Sequence, residues 1–257
     1  MLQTIQKAGE LLALYDREHT EWGVREVAEK LKMAKSSTHD LMSSLAKLGF
    51  LNKTQDNRYR LGWRLVTLSE VLLATTELRQ EAHPVMEELA VSYQETIHLA
   101  VLDDTQAVYV DKLEGRQAVR VELTSLGARL YSHCSALGKV LLAYNPEEEV
   151  KRIIKTAGLP RFTPNTITDE DELSQALAKI QKQGYAYDLE EILPDLCCVA
   201  APIYNHTAKV IAEISMSIPA FRFRRSQTEY RDAVMRAAKT ISKRLGYCGS
   251  TLRVAKG

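Results

Sequence analysis

The chain has 257 residues, of which 45% are hydrophobic and 26% charged, with 12 glycines and 7 prolines. That composition excludes collagen-like and disordered chains, and the length leaves room for one larger and one smaller domain, each with its own core. No apolar run approaches the roughly 18 residues that span a bilayer, and Met1 to Lys7 lacks the charged-then-apolar order of a signal peptide, so the expected location is the cytoplasm. Cys134, Cys197, Cys198 and Cys248 lack metal-ligand spacing and two are adjacent, as expected of free thiols in a reducing compartment. No metal or cofactor is called for. The net charge of +1 hides a segregation: residues 30–64 hold eight basic and two acidic groups, residues 81–219 twelve and twenty-one, and residues 220–257 ten and two. Screening limits each charge to its neighbourhood, so the basic first segment makes nucleic acid a candidate partner.

Apolar residues recur at helical spacing at Leu2, Ile5, Gly9, Leu12 and Tyr15, then at Val24, Val27, Ala28 and Leu31, then at Leu41, Met42, Leu45 and Leu48. The second and third of these helices are separated only by Lys32 to Lys35, which predicts a helix-turn-helix; Ser36 or Ser37 is placed to cap the third and Gly49 to end it. Phe50-Leu51 and Arg58 to Leu61 flank the turn cluster Thr54 to Asn57 and predict a two-stranded wing. A linker helix is expected over Trp63 to Arg79, with a break at Ala82-His83-Pro84 before a helix from Val85 to Tyr93. Beyond it, strands are expected at Ile97–Leu102, Ala107–Leu113, Val119–Leu123, Ala186–Glu190, Cys197–Ile203 and Lys209–Ile218. Helices are expected at Ser135–Tyr144, Pro146–Lys155, Asp169–Gln183 and Gln227–Leu245. Strands interrupted by helices, with a hairpin at Tyr204 to Ala208, read as an α+β sheet domain. The expected division is a winged helix-turn-helix over 1–62, a linker helix over 63–80, a sheet domain over 81–248 and a tail over 249–257.

Over essentially its whole length the sequence resembles the IclR family of bacterial transcriptional regulators. The resemblance is carried by Gly184-x3-Asp188-x2-Glu191-x6-Cys198-Val199-Ala200-x2-Ile203-Tyr204-Asn205, by Arg58-Tyr59-Arg60-Leu61-Gly62, by Ser135-Ala136-Leu137-Gly138-Lys139 and by Ile214-Ser215-Met216-Ser217. It implies a GAF-like mixed α/β effector-binding domain behind the winged helix, and a homodimer or tetramer that binds double-stranded operator DNA. The first turn of the third helix offers Lys35, Ser36, Ser37, Thr38 and His39 to a major groove, and Lys53, Arg58 and Arg60 on the wing face neighbouring phosphates. Asp40 stands where the family often has an arginine.

For the effector domain the resemblance implies a small-molecule effector, often a carboxylate, at Ala136, Leu137, Asp188, Leu196, Cys198, Ser215 and Ser217. Free amides at the start of a helix suit a carboxylate, and period-two alternation puts Ser215 and Ser217 on one strand face. Hairpin pairing is expected to set Cys198 beside Ser215. Leu137 is bulkier than the small residue of many relatives, and Glu122 and Tyr131 precede the motif in a segment able to overhang the pocket. Competing readings are a hydrolase with Cys198 as nucleophile and His133 as base, a protein-binding winged helix, and a zinc site at His133, Asp188 and Cys198; no specific motif supports any of them.

Overall fold

The computed structural model describes residues 2–16, 18–75, 77–116 and 124–249, which fall into two compact units divided at Thr75/Thr76. The expected strand at Val119–Leu123, Glu122 and most of the tail lie outside the described residues. No helix among those residues is long and apolar enough to cross a membrane.

The first unit contains α1 (Gln3–Leu12), β1 (Glu21–Trp22), α2 (Val24–Lys30), α3 (Lys35–Lys47), β2 (Leu51–Lys53), β3 (Tyr59–Leu61) and α4 (Arg64–Thr75). Leu11, Trp22, Val27, Met42, Leu45, Leu51 and Tyr59 form its core. The α1 face predicted from periodicity is only partly the buried one: Leu12 and Tyr15 are half-buried while Leu2 and Ile5 are 72% and 62% exposed, and the enclosed residue, Leu11, lies off that row. Helix α3 begins two or three residues earlier than expected, with Ala34 as N-cap, so Ser36 and Ser37 lie inside its first turn and cap nothing. Gly49 does follow α3 with φ +80°, in the left-handed conformation that glycine adopts without strain. The wing has a third strand that the sequence did not suggest, and its sheet runs β1-β3-β2. Arg58 precedes β3 rather than belonging to it.

The second unit contains α5 (Glu77–Tyr93), β4 (Thr96–Asp103), β5 (Gln106–Leu113), β6 (Arg129–Tyr131), α6 (Ala136–Ala143), α7 (Glu147–Ala157), α8 (Glu170–Gln183), β7 (Ala186–Leu189), β8 (Leu196–Tyr204), β9 (Val210–Pro219) and α9 (Ala220–Arg244). Helix α5 runs straight through the predicted break, carrying Pro84 inside it. The interior proline costs a backbone hydrogen bond, but Leu78, Ala82, Val85, Met86 and Leu89 bury one continuous face, and that packing outweighs the local penalty. Helix α9 likewise begins about two turns before the expected Gln227; Ser226, at φ −135° and ψ 32°, interrupts its helical geometry there. Asp169 caps α8 by accepting from the Glu172 amide at 2.9 Å, and Gly184 ends it at φ +80°.

This unit's six strands among the described residues form one antiparallel sheet in the order β6-β5-β4-β9-β8-β7. Its two faces differ in kind. Ile97, Leu99, Val199, Ile203, Ile214, Met216 and Ile218 pack against α5 and α9. The opposite face presents Ala100, Ala107, Tyr109, Ala186 and Ala200 to α6 and α8. Small residues there let α6 lie close, and α6 is buried along its whole length. A bulge at Val110 keeps Tyr109 opposite Ala100 on the α6 face and sets Asp111 opposite Leu99 on the α5 face. There Asp111 meets His83 Nδ1 at 2.6 Å and Arg79 Nε at 3.3 Å, both from α5.

A second charged tie closes the α5 side. Arg222, at the start of α9, clamps Glu95 just before β4 with bonds of 2.6 and 2.9 Å, and the Glu95 side chain is 1% exposed. Removing the partner of a buried carboxylate leaves its charge uncompensated. Arg222→Ala is therefore expected to lower unfolding free energy by about 3 kcal/mol, the low end for broken buried pairs because Arg222 itself is partly exposed. Urea unfolding followed by circular dichroism measures it, and a change below about 0.5 kcal/mol would show the pair to be energetically idle.

Candidate functional site

Within the first unit, the α3 first turn exposes Lys35, Ser36, Ser37 and His39, as the helix-turn-helix reading expects. Thr38 is a correction. It is 0% exposed, and its Oγ1 donates to the Ala34 carbonyl at 3.0 Å. Thr38, Met42 and Leu45 fall at helical spacing and share the buried face, so this residue is core and reaches no groove. On the wing, Lys53 and Arg60 are exposed. Arg58 is engaged: its guanidinium takes both carboxylate oxygens of Glu26 at 3.1 and 2.8 Å and donates to the Glu21 carbonyl at 3.0 Å. Glu26 in turn accepts from the Gly23 amide at 2.8 Å, so Arg58 ties the wing to the start of α2 and is not free for a phosphate. Asp40 lies in the α3 row of Ser37 and Ser44, in a groove beside Gln3, Thr4 and Lys7 of α1, with its carboxylate 3.5 Å from His39 Nδ1.

In the second unit, six of the seven expected effector residues line one cavity: Ala136, Leu137, Asp188, Leu196, Cys198 and Ser217. Ser135 caps α6 by accepting from the Gly138 amide at 3.2 Å. That leaves the amides of Ala136 and Leu137 in the first turn without an intrahelical acceptor, at the positive end of the helix. Gly138 is where α6 presses on the preceding turn: a Cβ there would stand 2.4 Å from the Ser132 carbonyl oxygen. Ser215 is the exception among the seven. The Asn205–Lys209 turn and a bulge at Ile211 slide β9 by two residues from the expected register, so Cys198 faces Ser217, and Ser215 faces Ala200. Cys198 Sγ and Ser217 Oγ are 3.2 Å apart.

Asp188 is wholly buried at the cavity wall; Oδ1 accepts from the Glu191 amide at 2.7 Å and Oδ2 has no partner among the described residues. Burial, and then the charge of Glu191, pushes its carboxyl up to about 7. Lys139 on α6 forms a buried ion pair with Glu191. The turn carrying Glu191 is also held from behind: Thr163 Oγ1 donates to the Glu190 carbonyl and Thr166 Oγ1 to the Glu191 carbonyl, each at 2.6 Å. Its Ile192 and Leu193 complete the cavity wall together with Tyr109, Thr124, Leu130 and Ser135. Sequence reasoning missed these wall residues. Only Ser135 carried a local signal, as a serine immediately before a helical run.

Burial, reinforced by the charge of Asp188, holds the Cys198 thiol well above its usual range, and its polar neighbour is a serine hydroxyl. A protonated thiol without a base is no activated nucleophile. His133 instead donates from Nε2 to the Pro160 carbonyl at 3.0 Å and packs against Tyr131 and Phe162. Among the described residues no group of three His, Cys, Asp or Glu side chains is placed to hold a metal.

A winged helix-turn-helix in one unit and a helix-capped polar cavity in the other define a ligand-responsive DNA-binding regulator. The chain belongs to the IclR family: residues 4–55 match the IclR helix-turn-helix domain, and residues 71–243 match the bacterial transcriptional regulator IclR C-terminal domain. It is 32% identical to the HTH-type transcriptional regulator XynR of Escherichia coli K12, over 96% of this chain and 98% of that one. Among solved structures it is similar to the IclR protein of Thermotoga maritima, with 35% identity, a TM-score of 0.73, and coverage of 96% of this chain and 100% of that one. It is also similar to an IclR homologue of Microbacterium hydrocarbonoxydans complexed with 4-hydroxybenzoate, with 26% identity, a TM-score of 0.82, and coverage of 95% and 99%. The family is one of transcription regulators and not of enzymes.

Proposed function

We propose that this chain is a transcriptional repressor that binds a palindromic operator as a homodimer and is controlled by a small organic acid. The observation that carries the effector half is the meeting of two first-turn α6 amides that have no intrahelical acceptor, Asp188 Oδ2, Cys198 and Ser217 at one cavity. Carboxylate oxygens take the amides, and the Ser217 hydroxyl adds a donor. The relative that binds 4-hydroxybenzoate supports a carboxylate, and the relatives named acetate operon repressor and transcriptional repressor IclR support repression. Control acts through differential affinity: the effector favours one arrangement of the protein over another, and operator affinity follows. The Val110 bulge offers a route, because Tyr109 at the cavity and Asp111 at α5 are two residues apart on opposite faces of one strand.

For DNA, the exposed cations among the expected contacts are Lys35 on α3 and Lys53 and Arg60 on the wing, with Ser36, Ser37 and His39 at the base edges. Lys53→Ala or Arg60→Ala should weaken binding to any duplex alike and reduce the slope of log affinity against log salt by about one. Titrations of a mixed-sequence duplex across about 50 to 200 mM salt read this directly; unchanged slopes would remove the wing from the interface.

Dimerisation is assigned to α4, whose Val66, Leu68, Val71 and Leu72 are each at least 45% exposed, together with Trp63 just before it at 77%. So much apolar surface on one short helix marks an interaction face. Leu68→Glu is expected to convert the dimer to monomer at micromolar concentration in light scattering; a wild-type monomer would reject the assignment.

Protonation of Asp188 should set the pH dependence of effector binding. Below about 7 its carboxyl is neutral and donates to a bound carboxylate; above it, the ionised group repels the same ligand. Apparent affinity for acids selected by thermal shift is expected to fall from pH 6 to pH 8, approaching tenfold per unit at the alkaline end. Asp188→Asn, a permanent neutral donor, should flatten that profile in calorimetry. A profile equally steep in the variant would place the titrating group elsewhere.

A further inference from the structure

Behind the cavity, on the α6 side of the sheet, His98 Nδ1 and Nε2 have no hydrogen-bonded partner among the described residues, and the Glu213 carboxyl and Ser215 hydroxyl have at most each other and the Ala100 amide. The three residues are 1%, 0% and 1% exposed. Strand register makes them one group. Ser215 lies opposite His98 on β4, and Glu213 is the next residue on that face of β9, opposite Ala100. On the other side of β9, Ser215 faces Ala200. A core position accepts an aliphatic side chain readily, whereas a carboxyl, an imidazole and a hydroxyl buried with so few partners each lower stability. Burial holds Glu213 well above the carboxylate range, countered only in part by the nearby Ser215 hydroxyl and Ala100 amide. Burial, helped by the charge of Lys112, brings His98 down to about 3. Burial thus favours the neutral form of both the carboxyl and the imidazole, and with the Ser215 hydroxyl they offer both donors and acceptors.

This cluster is continuous with the effector cavity. Ser217 lines that cavity and is the next residue on the same face of β9 after Ser215; Tyr109 also lines it, and its ring stands 5.0 Å from that of His98. The cavity itself is about 30 Å³, space for only one or two waters. An organic effector therefore enters only by displacing a wall residue, and Tyr109 is a wall residue whose ring also packs on His98 of the buried cluster.

We propose that His98, Glu213 and Ser215 form the far end of the effector site and receive an uncharged hydroxyl, so that the effector is a hydroxylated carboxylic acid held at both ends. The proposal rests on the carboxylate reading given above for the α6 amides. Along β9 the strand rise puts Ser215 about 7 Å and Glu213 about 13 Å from Ser217, a span that suits a carbon chain of about five to seven atoms.

Calorimetry on the full chain with hexanoate, 6-hydroxyhexanoate and 6-aminohexanoate tests this, alongside thermal unfolding without ligand. The wild type should bind the hydroxy acid about tenfold more tightly than hexanoate, and the amino acid no more tightly than hexanoate. Glu213→Leu should bind both plain and hydroxylated acids alike and, having lost a buried carboxyl with so few partners, should melt at a higher temperature than the wild type. Glu213→Gln, which keeps a hydrogen-bonding end of the same shape, should retain the hydroxyl preference. The proposal is overturned by a lower melting temperature in Glu213→Leu, by a hydroxyl preference that survives that change, or by tightest binding of the amino acid. Failure of the wild type to bind any of the three acids would overturn the carboxylate reading instead, and the melting temperature of Glu213→Leu would still decide whether the cluster is retained for a ligand.

Discussion

A central strand covered by helices on both faces has no side to give to water, so each polar group on it must be satisfied by the protein or by something the protein binds. Strand β9 is such a strand. Ile214, Met216 and Ile218 face α5 and α9, and the alternation that sends them there sends Glu213, Ser215 and Ser217 toward α6. The apolar side is filled with large aliphatic residues. The other side is lined with alanines, which brings α6 near enough for its first-turn amides to share a cavity with Ser217. The placement of the site thus follows from one strand's period and from the size of its neighbours' side chains.

Much of this was legible in the sequence because it was encoded locally. Gly49 and Gly184 terminate helices as glycines in the left-handed region do, Asp169 caps α8, and the alternation of β9 sorts its own residues onto two faces. The family motifs then located six cavity residues. What escaped was decided by contacts distant in sequence. Pro84 read as a break because the packing of α5 on the sheet is not visible in its own segment. The register of β8 on β9 depended on a bulge at Ile211, and a slip of two residues keeps every side chain on its face while changing its partner. Thr38 read as a groove contact by residue type, although its spacing to Met42 and Leu45 already put it on the buried face. Arg58 read as a phosphate ligand because its partner Glu26 lies 32 residues away.

Electrostatics inside the cavity narrow what it can hold. Lys139, the cation that acts on Asp188, is bound to Glu191, so it contributes little net positive charge to a ligand. Asp188 and Glu191 would together make the site repel anions if both were ionised. The remaining attraction for a carboxylate is the partial positive charge of the α6 amides, about half an elementary charge at a helix N-terminus. An attraction of that size cannot outweigh a full negative charge on the cavity wall at similar distance. A carboxylate is therefore compatible with this site only while Asp188 keeps its proton, and the burial that raises its carboxyl to about 7 supplies that condition. The same burial keeps the Cys198 thiol protonated. Beside an anionic ligand the wall then acts through hydrogen-bond donors and not through charge, which favours recognition by shape and donor geometry over catalysis by an ionised group.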